Sequence, residues 1–307
     1  MNTFFDKLAA STFLEGRISE GGRNETEEDI LPLGNVQARS FEIFAVREPP
    51  SYRLKESGSD APEEITFRVR GILCQKHLPP VFSVKNASSL GYLRQTVQLV
   101  SFLPDSLFGN YIRKIEDFTQ LFSASIGGRV HAPALQKYEG YPTLVISNPY
   151  FSSRSQTSSM ESLPLGSTVD PSGFLTRNQP QSFHHTMDNE VVYLSEHQEE
   201  GQVRFRVLRP DQFDNGDIVE AQFSFVAFPI AKNKQEFQLR MCLRALIQID
   251  TSFRQASASM TVNVNHPQST IPVFTLKRKV TYTYKTDDEM DGAGPSTQSK
   301  RRVCIEE

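Results

Sequence analysis

The chain has 307 residues, 38% of them hydrophobic, and a net charge of −3, which suits one large or two ordinary domains with a real core. No apolar run approaches the ~18 residues of a membrane-spanning helix, and three widely spaced cysteines argue against a disulfide framework. The charge is uneven: Glu15 to Asp29 carries six acids against two bases and Lys285 to Glu307 six against four, which leaves the remainder at +3, mild for a protein that binds nucleic acid by charge alone.

Residues 3–14 predict a short amphipathic helix. Thr3 can cap it, Asp6 stands three residues on, Gly16 can end it, and Phe4, Phe5, Leu8 and Phe13 form an apolar side. Asp6 and Lys7 interrupt what would be the apolar region of a secretion signal, so none is expected. The acidic, glycine-bearing stretch that follows reads as a flexible linker, which makes 1–35 a helix plus linker.

Residues 36–150 read as a β-rich domain. Strands are expected at 41–46, 65–70, 96–103 and 141–150, with a short one at 81–84 and a polar loop over 51–64. Leu107, Tyr111, Ile115, Phe118 and Phe122 recur at steps of three and four, which predicts a helix over 106–123 ended at Gly127-Gly128. Residues 151–182 are rich in Ser, Pro and Gly and read as an interdomain linker or one long loop.

Residues 183–285 read as an antiparallel β-meander. Val203, Phe205 and Val207 alternate with Arg204 and Arg206, and Asp214-Asn-Gly-Asp marks a turn. A long hairpin follows. Val219, Ala221, Phe223 and Phe225 share one face, as do the odd positions from Phe237 to Ile249. Further strands are expected around Met260, Val262 and Val264 and over 274–284, with a disordered tail at 286–307. The expected class is α+β, mainly antiparallel β, in sandwich or barrel-like sheets, with one mid-chain helix and a short N-terminal helix.

Motifs for chemistry are sparse. The six histidines form no metal-binding spacing, and adjacent His184 and His185 point opposite ways on an extended chain. There is no nucleophile elbow and no phosphate-binding glycine loop. Cys74 precedes Lys76 and His77, neighbours that can lower a thiol pKa, although a half-buried free cysteine is the simpler reading. Pro210-Asp211 with Glu220-Ala-Gln222 resembles the Pro-Asp…Glu-x-Lys pattern of metal-dependent nucleases, but Gln222 stands where that pattern has lysine. No enzyme, cofactor or metal is expected.

The feature that carries most is arginine on outward strand parity: Arg68, Arg70, Arg204, Arg206, Arg240 and Arg244. On neighbouring strands they would form a stripe able to track a phosphate backbone, with Lys277, Lys279, Tyr282 and Tyr284 adding charge and stacking surface. Outward positions are polar in any sheet, and arginines there often pair across the ladder. The basic cluster Lys300, Arg301 and Arg302 reads as an import signal. The expectation is a non-enzymatic, nuclear nucleic-acid-binding protein. The alternative is a self-assembling, coat- or scaffold-like β-sandwich that joins a partner through the N-terminal helix or a sheet edge, with no membrane partner.

Overall fold

The computed structural model describes residues 1–20, 30–59, 63–84, 86–104, 106–230 and 233–265. The first half of the chain supplies α1 (Lys7–Glu20), β1 (Ile30–Pro32), β2 (Phe41–Val46), β3 (Ser51–Glu56), β4 (Thr66–His77) and β5 (Arg94–Val100). Then come α2 (Leu107–Ile126), β6 (Arg129–His131), β7 (Gln136–Tyr138) and β8 (Tyr141–Pro149). Two short strands, β9 (Ser152–Ser153) and β10 (Phe183–His184), flank α3 (Phe174–Asn178). The chain continues with β11 (Val192–Glu199), β12 (Gln202–Val207), β13 (Ile218–Ile230), β14 (Asn233–Asp250) and α4 (Ser252–Asn265).

The fold is α+β and mostly antiparallel. A 12-stranded sheet runs β12-β11-β14-β13-β4-β5-β8-β7, with β1, β2, β3 and β6 joined to its side, and it is not closed into a barrel. Its centre is the β13–β14 hairpin. Val219, Ala221, Phe223, Phe225 and Ala227 are buried together with Phe237, Leu239, Met241 and Leu243, the face that alternation predicts. The regular parity stops at a bulge. Gln222 pairs with Ala245 and Phe223 with Leu243, so Arg244 is the extra residue and the core set moves from Leu243 to Leu246.

Helix α2 covers that face with Phe108, Tyr111, Ile115, Phe118 and Phe122. Phe118 lies 4.8 Å from Phe225 and 5.0 Å from Phe67, centroid to centroid, within the range where aromatic pairs gain beyond simple burial. Gly127 ends the helix in the left-handed region at φ 68°, a conformation glycine adopts without a Cβ clash. Leu107 lies off the buried face and is exposed.

Helix α1 starts later than its pattern suggests. Asp6 caps it, its Oδ1 accepting from the Ala9 amide at 2.9 Å, and the helix runs through Gly16 to Glu20. The inward side also differs from the expected one. Phe5, Ala10 and Leu14 pack against Ile72, Cys74, Val100, Phe102 and Ile218, while Phe4, Leu8 and Phe13 stay exposed.

Other expectations are corrected. The supposed loop at 51–64 contains β3, and β6, β7 and β11 are further strands whose short or polar runs give little alternation. Residues 81–84 form no strand. Where Met260, Val262 and Val264 predict a strand, α4 stands instead, anchored by Phe253 at 5.6 Å from Phe13; a run this short fits either period. The expected strand over 274–284 and the tail 286–307 lie outside the described residues.

The segment 151–182 does not separate two sheets. Strand β4 pairs with β13 (Phe67 with Phe223, Gly71 with Val219) and β6 with β14, and Met1–Asn265 is one unit. The segment packs through its own small core of Leu90, Tyr150, Phe151 and Leu175. Asp170 fastens the start of α3, accepting from the Leu175 and Thr176 amides at 3.1 and 2.9 Å.

Candidate functional site

The six arginines do not form one stripe. Arg68 and Arg70 sit opposite Gln222 and Glu220. Arg68 is buried, and burial lowers its guanidinium pKa. Arg70 Nε donates to Glu220 Oε2 at 2.9 Å and its Nη1 to the Arg17 carbonyl at 2.5 Å. Arg204 and Arg206 lie on β12, both ion-paired with Glu199. Arg244, displaced by the bulge, is bidentate to Glu64, with Nε–Oε2 at 2.9 Å and Nη2–Oε1 at 2.7 Å. Arg240 alone is exposed without an acid among the described residues, its guanidinium 5.5 Å from the Phe228 ring centroid. Lys277, Lys279, Lys300, Arg301 and Arg302 lie outside the described residues.

Arg240 and Arg244 open onto a cavity of about 450 Å³ that also takes in Arg53 and Arg94, with Tyr92, Phe183 and Phe228 among its walls. The acid in its lining, Asp188, and Glu64 behind it are already engaged. Asp188 and Glu64 hold Arg53, and Glu64 also holds Arg244. Among the described residues Arg94 donates only to Ser147, from Nε to Oγ at 3.0 Å and from Nη2 to the carbonyl at 3.2 Å. Burial lowers the Arg94 pKa, and the positive charge of Arg240 lowers it further. Arg94 and Arg240 therefore line one cavity, and neither is ion-paired with an acid among the described residues. Arg53 Nε is buried and has no hydrogen-bond partner among the described residues. An anion entering here would satisfy donors already desolvated.

The floor is a fixed polar lattice. The turn Met187–Asn189 is tied down by Asn148 Nδ2 to the Asp188 carbonyl at 2.7 Å, Gln95 Nε2 to the Asn189 carbonyl at 3.1 Å and Arg244 Nη1 to the Asp188 carbonyl at 2.8 Å. Tyr193 donates to Gln95 Oε1 at 2.7 Å, which fixes that amide. On the rim, Gly91 lets Phe183 approach: a Cβ there would lie 2.6 Å from the ring. Phe183 in turn meets Tyr92 edge-on at 5.4 Å. Tyr92 itself is 73% exposed, an aromatic face left to solvent.

Sequence reading missed Arg53, Tyr92, Arg94 and Asp188. Arg53 lay in a supposed loop, Arg94 precedes the apolar alternation of its strand, and Asp188 comes from the start of the segment read as a meander. Neither alternation nor a local motif marks them, because they converge from distant parts of the chain.

The other chemical candidates have structural roles. His184 Nε2 and Nδ1 contact Thr157 Oγ1 at 2.6 Å and Ser162 Oγ at 2.8 Å, and His185 Nδ1 donates to the Tyr150 carbonyl at 2.8 Å. Cys74 is buried, its Sγ 3.2 Å from the Gln98 carbonyl, and burial pushes its thiol pKa up to about 12, opposite to activation by Lys76 and His77. Glu220 is engaged by Arg70 and Gln222, and Asp211 by Arg209. Among the described residues no group of three or more His, Cys, Asp or Glu side chains is placed to share a metal ion. No helix among them is long and apolar enough to cross a membrane. Comparison with protein-family models, curated proteins and solved structures gave no match.

Proposed function

We propose that this protein binds single-stranded nucleic acid without catalysis, and that it does so at the arginine–aromatic cavity rather than along an arginine stripe. The observation that carries the reading is that Arg94 and Arg240 line one cavity, neither ion-paired with an acid among the described residues, with exposed Tyr92 on its wall. Cationic groups combined with aromatic faces are what single strands engage, through phosphate and base in turn. Charge alone would be a weak basis, since the chain is slightly acidic overall. With Lys300, Arg301 and Arg302 as an import signal, the same reading puts the protein in the nucleus.

The test is fluorescence anisotropy with labelled single-stranded and duplex oligonucleotides at two salt concentrations. Single strands should bind more tightly than duplex, and affinity should fall with salt. Changing Arg94 and Arg240 together to alanine should weaken binding at least tenfold, whereas the Arg204→Ala, Arg206→Ala pair should matter little. A folded protein that binds no oligonucleotide at low salt would falsify the proposal.

One observation favours the second reading, association between copies. Strand β12 ends the sheet order, and Val203, Phe205 and Val207 on it are 50%, 44% and 79% exposed. An apolar sheet edge can pair with another strand. Sedimentation at two protein concentrations, with Phe205→Lys as control, decides whether it does.

A further inference from the structure

We infer that the cavity accepts a single unpaired nucleotide, with its phosphate between Arg94 and Arg240 and its base against Tyr92. This rests on the nucleic-acid reading above and narrows it to one unit of the strand. Three observations carry it. The volume, about 450 Å³, lies within the ~300–1,000 Å³ typical of small-ligand pockets, so it suits one nucleotide and not a stretch of duplex. Two lining residues keep donors without a partner among the described residues: Arg94 Nη1 makes no hydrogen bond and buried Arg53 Nε makes none. The aromatic surface lies at the rim rather than the floor, because Phe228 is already occupied by Arg240 whereas Tyr92 is open. A nucleotide entering phosphate first would leave its base at that rim.

The arrangement also sets a preference. A base must leave its stack to reach Tyr92, which costs little in a single strand and much in a duplex. The Asp188 and Glu64 carboxylates are held by Arg53 and Arg244, so they do not compete for Arg94 and Arg240.

The experiment titrates the full chain with four probes: inorganic phosphate, uridine monophosphate, a labelled ten-residue oligothymidylate, and an abasic strand of the same length. The expected result is that uridine monophosphate competes with the oligothymidylate, and that the abasic strand binds about tenfold more weakly. Tyr92→Ala, a change at an exposed position, should remove that difference. Arg94→Lys keeps the charge but loses the planar fork, and should weaken uridine monophosphate about tenfold; it serves as the milder variant should Arg94→Ala fail to fold. If oligothymidylate and abasic strand bind equally and Tyr92→Ala changes neither, the one-nucleotide pocket is wrong while strand binding stands. If phosphate or uridine monophosphate binds through Arg94 but no strand does, the pocket takes a free anion and the nucleic-acid reading fails.

Discussion

Arg244 and Arg206 carry the same side chain on the same outward parity, yet their surroundings give them different roles. Arg244 is the bulge residue of β14, 17% exposed at its side chain and bidentate to Glu64. Arg206 is 64% exposed on β12 and shares Glu199 with Arg204. Removing one partner of a buried pair leaves an uncompensated charge, whereas an exposed pair is screened by water. Arg244→Ala should therefore destabilise the protein by about 3 kcal/mol, and Arg206→Ala by no more than about 0.5 kcal/mol. Urea unfolding of the two variants measures both; equal midpoints would show that Arg244 is not a fixed strut of the cavity. Outward parity was legible in the sequence for these arginines. Which of them keeps a free charge was not, since that depends on where Glu64, Asp188, Glu199 and Glu220 arrive.

Elements with one buried face were the readable ones. Helix α2 announces itself because Tyr111, Ile115, Phe118 and Phe122 all meet the sheet. The hairpin does so because its odd positions do, up to the bulge. The segment 151–189 was not readable, because its order comes from scattered anchors: Leu175 and Phe151 in a small core, Asp170 at the start of α3, and His184 between Thr157 and Ser162. His184 makes this wall of the cavity sensitive to pH. Its neutral ring accepts at one nitrogen and donates at the other, and burial lowers its pKa from the ordinary 6.5. The unfolded segment therefore takes up a proton before the folded one does. The stabilisation is complete above about pH 6.5 and is lost as pH falls from there through the lowered folded value. Hydrogen exchange should show amides of 151–189 as protected at about pH 7.5 as at 6.5 and losing protection as pH falls below about 6.5, after correction for intrinsic rates, with β13–β14 unchanged. His184→Gln should flatten that dependence; if it leaves the dependence intact, another group is responsible.

At the scale of the whole molecule, pairing of β4 with β13 and of β6 with β14 makes strands on either side of 151–182 mutually dependent. Residues 1–265 should therefore unfold in one cooperative transition, with far-ultraviolet dichroism and tyrosine fluorescence giving the same midpoint. A protease cut within 151–182 should not release two halves that fold alone; two separate transitions would overturn the shared sheet. From its residues alone the chain determined the α+β class, the central hairpin, helix α2 and the lack of familiar catalytic motifs. These follow from periodicity, which is local: a side chain's face is set by its neighbours three, four or two positions away. Only the tertiary structure decided that the two β-rich stretches share a sheet, that Arg70, Arg204, Arg206 and Arg244 are matched by acids, and that Arg94 and Arg240 are not matched among the described residues. Charge compensation acts through space over a few ångströms between residues far apart in the chain, and no local pattern encodes which carboxylate reaches which guanidinium.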